Sequence, residues 1–377
     1  MRDLRGVLTS SSAGSVDRGL VMGFVALAVL GDFMIFSATR TALEHAGYDP
    51  LYYLKRQSLW VAIGVVLMTV VSRVDFRRFE IVATSLYIAS VIGVGGVIFF
   101  GSEALGAQRW YDFGFVQIQP SEFAVLGLIL AASAYAARRP EGLSKRDVAR
   151  LITMSLLPMG IIAVQPDLVT AIIMTMIVAV MVVVAGVPPR MMAVMGVVGG
   201  IIATLSIYFG YLKPYQVARL VSFLNQNSND KNIADLIYHV NNAKNAIGAG
   251  GLFGTGLFGG LQTTLGYVPE QRTDFIFTAI GEQLGLIGSL GVLALITFVA
   301  YRLFVVSRDA KDQFGRLMVA GIFVFFSYSS FQNIGMTMGI MPVTGIPLPL
   351  ISYGGTAAIV FSIAAGAALS VSRRRGS

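Results

Sequence analysis

Residues 248–285 read GAGGLFGTGLFGGLQTTLGYVPEQRTDFIFTAIGEQLG, and the remainder of the chain can be interpreted outward from this stretch. Its first half is dense in glycine, and its second half enters an apolar segment that predicts a membrane span over 275–300. Asp274 lies at the junction. A carboxylate at the mouth of a membrane helix loses hydration, so it requires a structural or functional reason. From the residues alone, a helix N-cap and a reactive carboxylate are equally open for Asp274.

The composition is that of a membrane protein. Of the 377 residues, 55% are hydrophobic and 13% are charged, and the mean hydropathy is +0.73, whereas soluble domains average about 25% charged residues. Ten apolar segments, most near the length that crosses a bilayer, predict an all-α polytopic membrane protein with ten transmembrane helices in a single domain, 1–377. The predicted spans are 20–36, 57–72, 81–100, 123–137, 151–164, 168–187, 191–212, 275–300, 317–341 and 348–371.

Residue counts exclude several kinds of site. The chain has no cysteine, so disulfides, thiol nucleophiles and thiolate metal sites are impossible, and two histidines are too few for a histidine-based metal cluster. The net charge of +8 would suit nucleic acid in a soluble protein. In a membrane protein it is explained by the excess of Lys and Arg in cytoplasmic loops, so no nucleic-acid partner is expected.

The distribution of Lys and Arg predicts the orientation. With the spans above, 19 of the 28 Lys and Arg residues fall on one side of the membrane and 9 on the other. The richer side is the cytoplasm, so both termini are cytoplasmic and 20–36 is a retained first span rather than a signal peptide. The large loop 213–273, between helices 7 and 8, is then extracytoplasmic. Its segments LVSFL and IADLIYHV predict amphipathic helices on the outer leaflet.

In this topology the rarest charged residues gather at the outer membrane edge: Arg109, Glu122, Asp167, Lys244, Arg272 and Asp274. A site that faces outward excludes most ATP-driven catalysis. The GxGxxG match at 254–259 follows no predicted strand and faces away from cytoplasmic nucleotides. We therefore interpret it as close backbone packing or a flexible hinge.

The acidic candidates each have a structural interpretation as well as a functional one. Glu282 lies eight residues after Asp274 on the same predicted helix and deeper in the membrane, so it is either a functional carboxylate or half of a buried pair. Arg109 and Glu122 could pair with each other. The sequence Gln-Pro-Ser-Glu that ends at Glu122 also suits an ordinary helix start.

The basic candidates are similarly open. Lys55 and Arg56 flank the second span, where snorkelling to the membrane surface is the simpler explanation. Together with Lys244 and Arg272 they would suit an anionic head group that carries a diphosphate.

Five motifs in order connect these residues to a known family. The chain contains RWYDFGFVQIQPSE, QPDLVTA, AIGAGGLFGTG, PEQRTDFIFTAIGEQLG and NIGMTMGIMPVTGIPLPLISYGG. In order and spacing, these motifs resemble the SEDS family (shape, elongation, division and sporulation), over about 37–371. The segment GIPLPLISYGG is more similar to the elongation member, RodA, than to the division member, FtsW.

The resemblance implies a function and a set of site residues. It implies ten transmembrane helices and a peptidoglycan glycosyltransferase that polymerises lipid II at the outer face of the bacterial inner membrane during cell elongation. Asp274 matches the essential carboxylate, interpreted as a general base, and Arg109-Trp110, Glu122 and Glu282 match other motif positions. The implied partners are lipid II, a class B penicillin-binding protein and membrane lipid. No cofactor is certain, and a divalent cation (Mg²⁺ or Mn²⁺) is a further expectation.

The chain departs from the family pattern at positions near these residues. Val125 stands where relatives commonly carry a lysine one turn after Glu122, and Thr255, Gln283 and Val169 replace the usual lysine, glutamate and glycine. Without that lysine, Glu122 is predicted to form a salt bridge with a basic residue from another segment. Arg109 is the first candidate partner, and Lys55 or Arg56 is the second.

Two other functions fit many of the same residues. A flippase or other transporter of lipid-linked precursors would also use many spans and buried carboxylates, although transporters commonly show internal repeats and a path at the midplane. A non-catalytic scaffold that activates a penicillin-binding protein would need exposed apolar spans. The products that purified protein makes from lipid II would separate these possibilities.

Overall fold

The computed structural model describes residues 16–374, apart from 105–106, 115, 140, 166, 209–213, 227, 229 and 231–232. The helices are α1 Arg18–His45, α2 Tyr52–Arg73, α3 Phe76–Phe100, α4 Pro120–Ala137, α5 Lys145–Val164, α6 Leu168–Val184, α7 Pro189–Tyr208, α8 Pro214–Leu224, α9 Ala234–Ala249, α10 Leu261–Thr264, α11 Ile276–Asp309, α12 Gln313–Thr337 and α13 Gly355–Arg373. The strands are β1 Ser102–Ala104, β2 Ala107–Asp112 and β3 Gln117–Ile118.

The helical membrane architecture is confirmed. In the described residues, eight helices are long and apolar enough to cross a bilayer, namely α1–α5 and α11–α13. The helices α6 and α7 are apolar over shorter lengths, Val169–Val184 and Arg190–Ile201. Each of the ten predicted spans overlaps one of these helices.

Two details of the prediction are wrong. The fold is not purely α, because the three strands form a small antiparallel sheet in the order β1-β2-β3. The last helix does not begin at 348: residues 342–348 have no regular secondary structure, turns follow, and α13 starts only at Gly355. The prolines at 347 and 349 explain this, since proline lacks the amide hydrogen that a helix interior needs.

The small sheet is fastened to the end of α3. The Tyr111 hydroxyl donates a hydrogen bond to the Gly93 carbonyl at 2.9 Å, and the Gln108 side-chain amide donates to the Gly101 carbonyl at 2.6 Å. A Cβ at Gly96 would lie 2.4 Å from the Tyr111 oxygen, so this approach requires glycine. Because these hydrogen bonds fix β2 against α3, they also fix the positions of Arg109 and Trp110 within β2.

The centre of the molecule is built from α4, α12 and α13, whose apolar windows are mostly buried, whereas α2, α3 and α5 leave most of theirs exposed. Small residues allow close packing of α13 on α2. A Cβ at Gly64 would lie 2.5 Å from the Ser362 hydroxyl, and a Cβ at Gly366 would lie 2.7 Å from the Met68 carbonyl. Such contacts are typical of membrane helices, which associate by packing rather than by exclusion from water.

The helix α11 is interrupted at Gly285, whose φ of 66° and ψ of −165° are not helical. The glycine-rich segment 250–260 binds the backbone groups that the interruption exposes. The amides of Thr255 and Gly256 donate to the carbonyls of Glu282 and Gln283 at 2.9 and 3.1 Å. On the other side of the break, the Leu286 amide donates to the Gly251 carbonyl at 2.9 Å. These bonds matter because a broken membrane helix must satisfy its free backbone groups within the protein.

The same segment confirms the packing interpretation of the GxGxxG match. A Cβ at Gly254 would lie 2.1 Å from the Gln283 carbonyl oxygen, and Gly254 has a φ of +83°. Both facts require glycine there, because other residues rarely adopt this conformation. The glycines of the GxGxxG match therefore allow the loop backbone to contact the backbone of α11.

The large loop between α7 and α11 contains the helices α8, α9 and α10, so the two predicted helices at LVSFL and IADLIYHV are present. Residue 213 and residues 227, 229 and 231–232 of this loop lie outside the described part of the chain. Along α8 the apolar and polar residues separate onto different faces, as expected of a helix at a membrane surface.

Candidate active site

Asp274 lies two residues before the first residue of α11, outside the helix itself. Its amide donates to the Glu270 carbonyl at 3.1 Å, and its carbonyl accepts from the Asn333 side-chain amide at 2.8 Å. The residue at the N-cap is Phe275, and no side chain caps the helix there. The N-cap interpretation of Asp274 is therefore wrong.

A loop near the C-terminal end of the sequence packs beside Asp274 and leaves space next to its carboxylate. Residues 338–354 pack against 272–274: the Tyr353 amide donates to the Arg272 carbonyl at 2.9 Å, and the Ser352 hydroxyl donates to the Thr273 carbonyl. A Cβ built at Gly345, where φ is +74°, would lie 3.1 Å from the Asp274 Oδ2 atom. Glycine thus leaves room beside this oxygen, which accepts no hydrogen bond from the described residues.

Charge and burial tune this carboxylate. Burial by the surrounding protein, together with the nearby Glu270, raises the pKa of Asp274 from 3.8 to about 6. Arg219 and Arg109 act in the opposite direction because their positive charges favour the carboxylate. A carboxylate with a pKa near the ambient pH is suited to accept and release a proton.

Arg109 is placed by β2 beside the turn between α5 and α6. Its Nε atom donates to the Gln165 carbonyl at 3.1 Å, and the Gln165 side chain in turn donates to the Val94 carbonyl at 2.6 Å. Trp110 is half-buried and pairs with Ser102 across the sheet. The structure therefore brings Arg109 into the electrostatic neighbourhood of Asp274 from a segment that is distant in sequence.

The predicted salt bridge of Glu122 is wrong. Among the described residues Glu122 forms no ion pair, and its Oε2 atom is buried without a hydrogen-bond partner. Its charged neighbour is another carboxylate, Asp167, which accepts hydrogen bonds from the side chains of Ser121 at 3.4 Å and Thr170 at 2.8 Å. Asp167 also accepts from the Thr170 amide and so caps α6.

Arg272 and Arg56 belong to a group of aromatic and basic side chains beside the 352–353 loop. The Arg272 guanidinium lies over the Tyr53 ring at 4.7 Å, and Tyr53 contacts Tyr353 edge to face with centroids 5.1 Å apart. Arg56 donates to the Tyr52 hydroxyl at 2.6 Å. Arg272 also pairs with Glu270 at 3.8 Å. Neither Arg272 nor Arg56 is among the charges that act on Asp274, and their group is joined to this residue through the backbone contacts of 272–274.

The two predicted lysines are less close to the carboxylate. Lys55 is exposed and pairs with Asp49 at 2.7 Å. Lys244 donates to the side chain of Gln226, next to Gly339 at the end of α12. Neither lysine is among the charges that act on Asp274.

Glu282 is fully buried, and its carboxylate is occupied by the chain itself. One oxygen accepts from the Gln262 amide at 2.8 Å, and the other accepts from the Thr263 amide at 2.9 Å and the Thr263 hydroxyl at 2.6 Å. A Cβ at Gly260 would lie 2.5 Å from the carboxyl carbon. Glu282 therefore holds the start of α10 against α11, which differs from the side-chain pair that the sequence allowed.

Sequence reasoning missed two residues at this site. Arg219 on α8 acts on Asp274 and also donates to the Thr344 carbonyl at 3.2 Å. Asn333 on α12 joins two segments, because its side chain donates to the carbonyls of Asp274 and Ile346 at 2.8 and 2.7 Å. The amphipathic pattern of 214–224 was the available signal for Arg219, since the polar face of a surface helix points away from the lipid.

A metal centre built by the protein does not fit these side chains. Groups of three or more His, Asp or Glu residues do not come together in the described part of the chain. A Mg²⁺ or Mn²⁺ ion at Asp274 would therefore need ligands from the substrate's own diphosphate oxygens.

Comparison with known proteins identifies extensive similarity. The sequence matches the FtsW/RodA/SpoVE family, described as "Cell cycle protein", over residues 18–376. It is 33% identical over 360 residues to "Peptidoglycan glycosyltransferase MrdB" of Escherichia coli (strain K12), which covers 96% of this chain and 94% of that protein. It is 32% identical over 354 residues to "Probable peptidoglycan glycosyltransferase FtsW" of Bacillus subtilis (strain 168), covering 92% and 88%.

Solved structures show the same fold. A structure reported as "Structural coordination of polymerization and crosslinking by a peptidoglycan synthase complex" superimposes with a TM-score of 0.81, at 30% identity and over 96% of this chain and 99% of that one. The crystal structure of the Thermus thermophilus rod shape determining protein RodA superimposes with a TM-score of 0.71, at 28% identity and over 96% and 98% of the two chains.

Proposed function

The chain belongs to the FtsW/RodA/SpoVE family of cell cycle proteins, and on that premise we propose that it is a peptidoglycan glycosyltransferase. It polymerises lipid II into β-1,4-linked glycan strands during cell elongation. The observation that carries the proposal is the Asp274 carboxylate, which accepts no hydrogen bond from the described residues and has two arginines as electrostatic neighbours. The MrdB relative, named for this activity, matches over nearly the whole length of both proteins.

Asp274 acts as the general base. The acceptor is a sugar 4-hydroxyl, and the donor carbon, C1 of a second sugar, carries a lipid diphosphate. As the hydroxyl oxygen forms a bond to C1, its proton passes to a carboxylate oxygen of Asp274 and the C1–O bond to the diphosphate breaks. Attack from the face opposite the leaving group inverts C1 and gives the β linkage. Since a diphosphate leaves readily, no strong acid is needed, unlike the alcohol released by a glycosidase.

The arginines stabilise the negative charge that develops on the leaving diphosphate. Arg109 and Arg219 are the cations that act on the carboxylate. Arg272 and Arg56 belong to the group joined to it through the backbone of 272–274 and are further candidates for binding the diphosphate. Guanidinium groups bind phosphate oxygens through paired hydrogen bonds. Such preorganised charge is worth most at the moment when the charge forms. Glu282 acts as a positioning residue by holding the start of α10 against α11.

The proposed topology has ten spans, α1–α7 and α11–α13, in a single domain with both termini in the cytoplasm and 213–273 outside. Asp274 then faces outward at the bacterial inner membrane. Because the chain has no cysteine, single cysteines can be introduced without background labelling. Asp235→Cys in α9 should react with a membrane-impermeant maleimide in intact spheroplasts, whereas Ser144→Cys before α5 should react only after lysis. The reverse pattern would contradict the orientation.

The proposed partner is a class B penicillin-binding protein that crosslinks the nascent strands. Support comes from the similar structure that couples polymerization and crosslinking in a peptidoglycan synthase complex. The exposed apolar faces of α2, α3 and α5 are available to lipid or to a partner helix. A divalent cation remains a prediction and would be tested by adding a chelator to the polymerisation assay.

Purified protein given lipid II tests the proposal. The wild-type chain, with its partner present, should convert lipid II into long glycan strands, and Asp274→Asn should abolish this while folding and inserting normally. Asp235→Asn, an exposed carboxylate of the same loop, is the matched control and should retain activity.

The products also separate the other functions. Translocation of lipid II without polymer would indicate a transporter, and polymer made only by the partner would indicate a scaffold. Normal polymerisation by Asp274→Asn would refute its assignment as the base.

A further inference from the structure

A cavity lies at the end of α11 remote from Asp274, between the start of α3, the α11–α12 turn and the end of α13. Its volume is about 250 Å³, and its floor is formed by Phe76, Ala310 and Val371, all of which are buried. Phe76 is held by stacking on Phe314, with centroids 6.4 Å apart. The cavity therefore has an apolar floor, and the proposed reaction does not use it.

Three cations line the same cavity: Arg77, Lys311 and Arg374. Arg77 and Lys311 are exposed, and neither side chain forms a hydrogen bond or an ion pair with the described residues. The Arg77 guanidinium lies 5.8 Å from the ring of Phe76, which directs it over the apolar floor. Arg374 differs because it pairs with Asp75 at 3.4 Å.

The acidic residues nearby serve as helix caps. Asp312, which lines the cavity, accepts from the Gly315 amide at 2.9 Å, and Asp75 accepts from the Arg77 amide at 3.0 Å. These carboxylates are therefore directed at the helix starts of α12 and α3. The side-chain charges of Arg77 and Lys311 are left to bind an external anion.

The position of Arg77 on α3 indicates what kind of anion this is. Ile81, Ile88 and Ile92 follow at helical spacing, and their exposed fractions are 79%, 50% and 68%. Arg77 is thus the charged end of an exposed apolar stripe that would face acyl chains. A soluble anion would contact only the positive charge, whereas a lipid would place its phosphate head group against Arg77 and its acyl chains along the apolar stripe.

We infer that this cavity binds the phosphate head group of an anionic membrane lipid, with Arg77 and Lys311 as phosphate ligands and the acyl chains along the Ile81–Ile92 face of α3. Basic pockets between membrane helices bind such head groups in general. The cavity lies between the start of α3, the α11–α12 turn and the end of α13. A bound lipid would therefore connect these four helices at this end of the bundle. The site is independent of the glycosyltransferase proposal.

The test compares two double variants of the full-length protein. Arg77→Gln with Lys311→Gln removes both proposed ligands. Arg78→Gln with Lys145→Gln removes two exposed cations from the same side of the molecule outside the cavity. Detergent-purified proteins are titrated with phosphatidylglycerol, cardiolipin or phosphatidylcholine, and bound lipid is counted by native mass spectrometry. Thermal unfolding shows whether each variant is folded.

The wild-type protein should prefer the two anionic lipids. The cavity variant should bind them roughly 10- to 30-fold more weakly, and the control should stay near the wild type. Equal weakening in both variants would show diffuse surface attraction and overturn the inference. Displacement of the anionic lipid by inorganic phosphate alone, at moderate concentration, would also overturn it, since the site would then take a soluble anion.

Discussion

Replacing Asp274 by asparagine should make the protein more stable while it abolishes polymerisation. The pKa of this carboxylate is raised by burial from 3.8 to about 6, so the folded state opposes its ionisation. Asparagine keeps the shape of the side chain and removes the charge. Because the ionised Asp274 carboxylate destabilises the fold, its presence is explained by its function.

The magnitude follows from the shift in pKa. A shift of about two pH units corresponds to ~3 kcal/mol in the folding equilibrium, an upper figure because the side chain keeps some solvent contact. The sign depends on pH. Below about pH 4 both folded and unfolded states are protonated and the penalty is absent. As the pH rises through about 6 the carboxylate in the folded state ionises, and the penalty reaches its full value.

The assay is thermal unfolding of the detergent-solubilised wild type, Asp274→Asn and Asp235→Asn at a series of pH values. The midpoint of Asp274→Asn should exceed that of the wild type by a few degrees above pH 6, and the two should converge near pH 4. Asp235→Asn should follow the wild type, because that carboxylate is exposed. A difference between Asp274→Asn and the wild type that does not change with pH would refute the explanation by ionisation.

Two further predictions concern the same region. Arg219→Gln should lower the rate of polymerisation and move the midpoint of its pH profile above about 6, because Arg219 holds the pKa of Asp274 down. Arg219→Lys should return the midpoint of the pH profile most of the way to the wild-type value. An unchanged midpoint in Arg219→Gln would show that Arg219 has a purely structural role. Gly285→Ala should destabilise the protein by roughly 2 kcal/mol or more, since φ is 66° and a Cβ would lie 2.3 Å from the Gly254 amide nitrogen. Gly291→Ala in the same helix has open space and should be neutral or stabilising by about 0.5–1 kcal/mol; similar melting temperatures for the two variants would contradict this.

Hydropathy located the membrane helices because burial in lipid requires long apolar segments whatever the packing. It could not locate their ends. Residues 348–354 are apolar enough to be counted with the last span, yet prolines and the contacts to 272–274 keep them out of α13. The three strands between 102 and 118 are too short to give a clear period-two pattern.

The candidate site was partly predictable for a similar reason. Position at the outer edge and motif resemblance identified Asp274 and Arg109, which the structure brings into one electrostatic neighbourhood. Proximity in sequence suggested Arg109 as the partner of Glu122, but Arg109 donates to the Gln165 carbonyl instead. Backbone carbonyls carry no residue identity, so a sequence cannot show that one of them will bind the guanidinium of an arginine.

The interruption of α11 explains why the reactive carboxylate and the glycine-rich segment occur together in one stretch. The helical segment 276–284 is bound at its start by Asn333, through the Asp274 carbonyl, and at its end by the amides of Thr255 and Gly256. Glu282 adds a third attachment by accepting from the start of α10. The position of Asp274 is therefore set by α12 and by the loop between α7 and α11 rather than by the lipid-embedded remainder of α11. A break at Gly285 allows this, because a continuous helix would transmit any tilt of its membrane half directly to the carboxylate.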